Sequence, residues 1–309
     1  EEPVGRTTVS DFILHHYDPS PFSEKVRVMF GLKGLAWRSV QTPNMMPKPD
    51  LTPLTGGYRK APVMQIGADI YCDSQVILAE IEARAPTPAT VSGPAWGANI
   101  WADRLFFGAT VPVIFGEMGH LTPKDFIADR EKLSGRPFDV DGMAKAAPIM
   151  KVQWRSMAAW IDQGLAGQPF LAGDAPGLSD VSAYMNIWWL GGALPKTYAE
   201  LTAGLERLGG WRERMRALGH GTRTEMTGPE ALTVAKAAEP ATAPAHDPAD
   251  PLTVGQAVVV MADDYGKDPI TGTVVAARPD RLIISRDTPD LGRLNLHFPR
   301  VGFIAVPQA

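Results

Sequence analysis

With 309 residues the chain has room for two or three domains at the usual ~100 to 200 residues each. Its 30 Lys and Arg face 34 Asp and Glu, a formal charge of −4 with no block of one sign, which argues against a nucleic-acid partner because phosphate recognition needs a concentrated basic face. The single cysteine, Cys72, excludes an intrachain disulfide and any Cys-rich metal site, so a reducing, cytoplasmic setting is expected. Residues 1–10 do not read as a signal peptide, and no apolar run approaches the ~20 residues of a membrane helix, so no membrane partner is expected.

Clusters of Pro, Gly and Ala divide the chain into zones. In the first, Phe12 to His16 has the pattern of a short strand, and Ser20 to Gly31 puts Phe22, Val26, Met29 and Phe30 on one helical face. Trp37 to Val40 forms a second strand, followed by a Pro-rich connection through Pro43, Pro47, Pro49 and Pro53. Pro62 to Ile66, a turn at Gly67 and Asp69 to Tyr71 give a strand pair, after which Ser74 to Arg84 resumes helical spacing. The order β-α-β, then β-β-α, is that of a thioredoxin-like sheet, an α/β domain over residues 10–86. Residues 93–221 read as all-helical, with helices at Ala95 to Met118, Ile149 to Leu165, Ser179 to Leu190, Tyr198 to Leu208 and Trp211 to Leu218, and with Pro112 kinking the first. Residues 222–251 thin into Ala, Pro, Thr, Glu and Asp and read as a linker. Over residues 252–309 short β-branched runs, separated by turns such as Asp264-Tyr265-Gly266, predict a small five-stranded, all-β, barrel-like domain.

Three places in the first zone carry chemistry. Ser20-Pro21-Phe22-Ser23 opens the first helix with Pro at a favoured first position, and a helix N-terminus attracts anions through its free amides and its dipole. Most serines there are plain N-caps, yet a hydroxyl can accept from a helix amide while donating its proton to a thiolate. Bringing a thiol from a pKa of ~8.5 to ~6.5 takes about 2.7 kcal/mol, within reach of one hydrogen bond to a charged group (~1.5–3 kcal/mol) plus the helix end (~0.3–1 kcal/mol). Pro62 follows a polar loop; a cis bond there would present the Ala61 backbone to an extended peptide, whereas a trans proline would merely start a strand. Asp73-Ser74 opens the next helix, where Ser74 can hold a carboxylate and Asp73 an ammonium, or the pair can serve only as a cap.

Taken together these features resemble the glutathione transferase superfamily. Ser20-Pro21-Phe22-Ser23-Glu24-Lys25-Val26-Arg27 is similar to its first-helix motif, Ala61-Pro62-Val63 to its cis-proline turn, and Asp73-Ser74 to its γ-glutamyl site. The likeness continues through Phe170 to Asp174 and Leu178-Ser179-Asp180-Val181, where Gly177 replaces the usual Ser or Thr cap and Asp180 is retained, and it covers roughly residues 10–220. The resemblance implies a thioredoxin-like domain followed by an all-α glutathione-transferase domain. It further implies that Ser20 activates the glutathione thiol, with Ser23 as the alternative hydroxyl, that the Ala61 backbone beside Pro62 pairs with the cysteinyl unit, and that Asp73 and Ser74 hold the γ-glutamyl end. Glutathione would be the co-substrate, with no metal, in a homodimer that conjugates the thiolate to a small apolar electrophile. Serine at the thiol position favours conjugation over mixed-disulfide exchange.

Trp101, Phe106, Phe107 and Phe115 are either core or the lining of the electrophile pocket, with Trp101 and Phe106 as the named candidates. Cys72 reads as a packed apolar residue, and of His15 and His16 one is expected in the core and one in solvent. Among Asp263, Asp264, Arg281, Arg286, His297 and Arg300 of the last zone there is no nucleophile-base or metal pattern. Two other functions stay open. One is a non-catalytic scaffold whose β domain recruits a protein partner and can be deleted without unfolding the rest, and the other is glutathione-dependent reduction or dehalogenation.

Overall fold

A computed structural model describes residues 12–308. Strand β1 (Ile13–His16) leads through α1 (Pro21–Leu32) to the parallel β2 (Ala36–Gln41). After a short α2 (Thr52–Thr55), β3 (Val63–Ile66) runs antiparallel to β1 and turns at Gly67 into the antiparallel β4 (Asp69–Cys72), followed by α3 (Ser74–Arg84). This is the expected thioredoxin-type unit. Its helices bury Val26, Met29, Phe30, Val76, Ile77 and Ile81 against the helical domain in one continuous core.

That domain begins with α4 (Gly93–Trp101), a π-helical turn (Ala102–Phe106) and α5 (Phe107–Met118), then α6 (Lys124–Ser134), α7 (Val140–Gly164), α8 (Leu178–Ala193), α9 (Pro195–Thr202) and α10 (Glu206–Ala217). Pro112 lies inside α5, and the departure from α geometry falls instead at the π turn. α6 has no fully buried residue and therefore no apolar stripe to mark it in the sequence. α7 runs on through Pro148, and the break between α9 and α10 falls at Gly204, whose φ of +80° suits glycine, while Gly209 and Gly210 lie inside α10. Ahead of α8, the Asp180 carboxylate accepts from the amides of Gly177, Leu171 and Ala172 and from Trp211 Nε1, at 2.7–3.1 Å. A Cβ on Gly177 would stand 2.8 Å from that of Ala172, which accounts for glycine at this cap.

Residues 222–251 are not a free linker. β5 (Thr222–Glu225) extends the sheet beside β2, and α11 (Gly228–Lys236) is closed by a capping box between Thr227 and Glu230 and buries Ala231 and Ala235. An alanine-rich composition suggests weak packing, but alanine is what fits a helix laid closely against a sheet. Farther on, the Ala241 amide donates to Asp69 at 2.7 Å and that of Asp247 to Ala277 O at 2.9 Å, tying down the remaining stretch.

The expected five C-terminal strands are present: β6 (Ala257–Ala262), β7 (Ile270–Ala277), β8 (Arg281–Thr288), β9 (Gly292–Pro299) and β10 (Phe303–Pro307). They pair antiparallel in the order β10-β6-β7-β8-β9, and β9 then pairs in parallel with β4 through Asp69–Asn295, Ile70–Leu296 and Tyr71–His297. The result is one ten-stranded sheet. Its second core joins Leu54, Val63, Ile70 and Cys72 of the first domain to Val258, Ile270, Leu296 and Phe298.

Candidate active site

Ser20 caps α1 from extended backbone (φ −72°, ψ 119°), and its Oγ accepts from the Ser23 amide at 3.2 Å. Its proton stays free for another acceptor. The residue is only 2% exposed, yet it lines a cavity of 410 Å³ between the two domains. Ser23 is fully buried, its hydroxyl has no partner among the described residues, and it does not line that cavity.

Buried polar contacts hold α1 in place. Lys25 Nζ donates to Asp103 Oδ1 at 2.6 Å and to Asn99 Oδ1 at 2.9 Å, and Ser182 of α8 donates to the same Asn99 oxygen. Burial raises the Asp103 carboxyl pKa despite the attraction of Lys25. Arg27 grips Glu24 at 2.7 Å, the Asp18 carbonyl at 2.9 Å and His16 Nδ1 at 3.0 Å. His15 and His16 are both buried, contrary to the expectation of one in solvent, because each finds an internal partner, Gln65 and Ser39 respectively. Burial lowers His15 to a pKa of about 4, and burial with the Arg27 charge lowers His16 to about 3.

The Ala61–Pro62 bond is cis, and Ala61 lines both the large cavity and a narrower one of 60 Å³ that reaches Asp73, Ser74 and Gln75. Asp73 Oδ1 accepts from the Gln75 amide at 2.8 Å, so it caps α3, and its φ of 97° is a conformation that costs a non-glycine residue on the order of 1–3 kcal/mol. Such strain tends to gather at ligand clamps. Ser20, Ala61, Pro62, Asp73 and Ser74 therefore come together around two joined cavities.

Trp101 and Phe106 do not join them. Phe106 is fully buried, its ring 5.2 Å from that of Trp101 and 5.5 Å from that of Trp154. The π turn inserts an extra residue, which rotates the next helical segment by about 100° and turns Phe107 and Phe115 to the cavity instead. Phe22, Phe126, Phe138 and Trp189 add to the wall, of which the last three carry no distinguishing signal in the sequence, and Tyr17 and Tyr265 line it too. The rim is cationic, with Lys48, Arg59, Lys60 and Arg130. Lys48 is buried, donates to the Arg59 carbonyl at 2.8 Å, and has its pKa lowered to about 8 by burial and by Arg130. Tyr265, from the loop between β6 and β7, lines both cavities.

Cys72 is fully buried, and burial pushes its thiol pKa far up, which makes it inert. Among the described residues no group of three or more His, Cys, Asp or Glu could hold a metal ion, and no helix is long and apolar enough to cross a membrane.

A thioredoxin-type sheet backed by a helical domain, with a cleft between them, is the architecture of the glutathione S-transferase class. The family model "Glutathione S-transferase, N-terminal domain" matches residues 14–89, and "Glutathione S-transferase, C-terminal domain" matches residues 142–214. A GST-like protein from Pseudomonas syringae, of known structure, is 32% identical with a TM-score of 0.76, over 97% of this chain and 100% of that one. The chain belongs to the glutathione S-transferase superfamily, whose members bind glutathione. A glutathione S-transferase from Rhodospirillum rubrum F11 (17% identity, TM-score 0.52) covers 67% of this chain and 88% of its own. The Beta-etherase LigF from Sphingobium sp. strain SYK-6 (14%, 0.51) covers 67% and 95%, and at these identities only the fold is shared. No curated protein sequence matches the chain. Coverage of 97% means that the Pseudomonas syringae protein aligns with the C-terminal strands as well, whereas the other two leave about a third of this chain unmatched.

Proposed function

We propose that the chain is a glutathione transferase that joins the glutathione thiolate to a small, aromatic electrophile. The observation that carries this reading is the Ser20 hydroxyl, whose proton is free at the N-terminus of α1 and which opens onto an aromatic cavity of 410 Å³. In this reading the tripeptide lies extended past Ala61–Pro62. Its γ-glutamyl carboxylate meets the Ser74 hydroxyl and the first amides of α3, its ammonium meets Asp73, and its glycyl carboxylate turns toward Lys48 and Arg130.

Ser20 donates to the sulfur and stabilises it as the thiolate, the proton having left to water. The sulfur lone pair then forms a C–S bond to the electrophile, and the leaving group departs with its electron pair. Flat substrates suit the stacked rings of Phe107 and Trp189, 5.5 Å apart, better than branched ones. Glutathione-dependent conjugation of an aryl halide should be measurable with wild type and fall steeply in Ser20→Ala. Tight glutathione binding with no turnover on a panel of aryl and alkyl electrophiles would refute the enzyme reading.

A further inference from the structure

The loop between β6 and β7 is fastened at four points to elements on both sides of the cleft. Asp263 pairs with Arg104 at 2.6 Å, and the Tyr265 carbonyl accepts from Lys60 Nζ at 3.1 Å. Asp268 accepts from Arg59 at 3.3 Å, and the Gly266 amide donates to the Leu133 carbonyl at 2.9 Å. Lys60 also sits 5.0 Å from the Tyr265 ring and 5.7 Å from those of Tyr58 and Phe303, so two rings of the C-terminal module, one from this loop and one from β10, clasp a lysine of the first domain. A loop pinned this way bridges the thioredoxin-type domain and the helical domain across the opening of the site.

The loop places Tyr265 where the two cavities meet, between Ser20 on one side and Asp73-Ser74 on the other. The hydrogen bonds of Tyr265 among the described residues run through its backbone, to Lys60 and from its own amide to Asp264, which leaves the hydroxyl unpaired. Burial and the Asp264 carboxylate push its pKa up, so it is a neutral donor throughout the working range. Tyr265 is part-buried, so its hydroxyl can exchange water for an acceptor that a bound ligand supplies. An extended peptide crossing from Ser20 to Asp73-Ser74 carries carbonyl oxygens past this position.

We propose that the C-terminal β module is part of the glutathione site, with the Tyr265 hydroxyl donating to a peptide carbonyl of the bound tripeptide. This inference rests on the glutathione reading above. It makes the module a binding element supplied within the same chain, about 200 residues in sequence from the other contacts.

Calorimetric titration of glutathione into wild type, Tyr265→Phe and Tyr265→Ala tests it, alongside KM for each substrate and thermal melting. Tyr265→Phe keeps the ring over Lys60 and removes only the hydroxyl. It should weaken glutathione binding about three- to tenfold, the worth of one hydrogen bond, and raise the glutathione KM to match, with the electrophile KM and the melting temperature unchanged. Tyr265→Ala should lose more, because the clasp on Lys60 goes as well. Wild-type binding with an unchanged Kd in Tyr265→Phe overturns the inference and leaves the proposed function standing. A weaker Kd that comes with a lower melting temperature and a raised electrophile KM also overturns it, as a loosened module. Wild type that does not bind glutathione overturns both.

Discussion

Replacing Ser20 separates the cap that the structure shows from the thiol contact that the proposed function adds to the same hydroxyl. Its oxygen caps α1 by accepting from the Ser23 amide, and in the proposed function its proton goes to the ligand sulfur. Loss of the cap in Ser20→Ala costs about 1 kcal/mol of stability, whereas glycine at an N-cap costs only a few tenths. Loss of the donor is the same in both, about 1.5–3 kcal/mol of preference for the thiolate, or roughly 1–2 units in the pKa of the bound thiol. The N-terminal field of α1 remains and supplies ~0.3–1 kcal/mol in either variant. The expected pattern is therefore a bound-thiol pKa raised equally in Ser20→Ala and Ser20→Gly, with a lower melting temperature in Ser20→Ala alone. Ultraviolet absorbance of bound thiolate across a pH titration reads the pKa directly, and kcat/KM against pH should shift by the same amount. If neither pKa moves, Ser20 does not hold the sulfur, and the reasoning from its free proton fails. If the pKa rises only in Ser20→Ala, the effect comes from a disturbed helix end and not from the hydroxyl.

Lys25→Met strands the Asp103 carboxylate, which its lysine partner meets at 2.6 Å with no exposure of the lysine side chain. It should cost about 3 kcal/mol in urea denaturation, and a loss below ~1 kcal/mol would show that the pair is structurally idle. His15 and His16 stay neutral in the fold at pKa values of about 4 and 3 but titrate near 6.5 when unfolded. The unfolded chain therefore takes up more protons as pH falls below ~6.5, so the stability they confer is intact above that value and is lost toward pH 4 and 3; by pH 4.5 the two together remove about 5 kcal/mol. Ring chemical shifts at pH 5 should show both imidazoles neutral, and charged rings in the folded protein would contradict this. Deleting residues 252–309 bares Val63, Ile70 and Cys72 and the β4 edge, so the remainder should be poorly soluble and melt well below the full chain. An unchanged melting temperature would show that the module is only appended, as composition alone suggests.

Legibility in the sequence follows the range of the interactions. Ser20, Pro62 and Asp73-Ser74 can be found because each marks a local event, a helix start or a strand start, that has the same residue preferences wherever it occurs. The aromatic wall fails by one register step. Helical spacing from Trp101 onward assumes an uninterrupted α-helix, and the π turn at Ala102–Phe106 breaks that assumption, so Phe106 packs against Trp154 and Phe107 reaches the cavity. Phe126 is hidden for another reason, since α6 buries nothing fully, and Phe138 lies in the loop between α6 and α7, where there is no periodicity to read. β5 escapes because it is only four residues long and largely exposed, and Thr-Arg-Thr-Glu has no apolar alternation to recognise.

The C-terminal strands are recognisable as strands, but their destination is not. Pairing between β4 and β9 joins residues more than 200 apart through backbone hydrogen bonds, which carry no side-chain signature, and only three residue pairs make the junction. That junction decides how the strands bear on function. Because β9 continues the sheet from β4, the strand that ends one residue before Asp73, the module is carried to the Asp73-Ser74 end of the cleft and its β6–β7 loop falls across the opening. A module held by a flexible linker could not place a tyrosine hydroxyl between two cavities with the precision that a hydrogen bond demands. The ten-stranded sheet provides that placement, and it connects the least legible part of the chain to its most legible site.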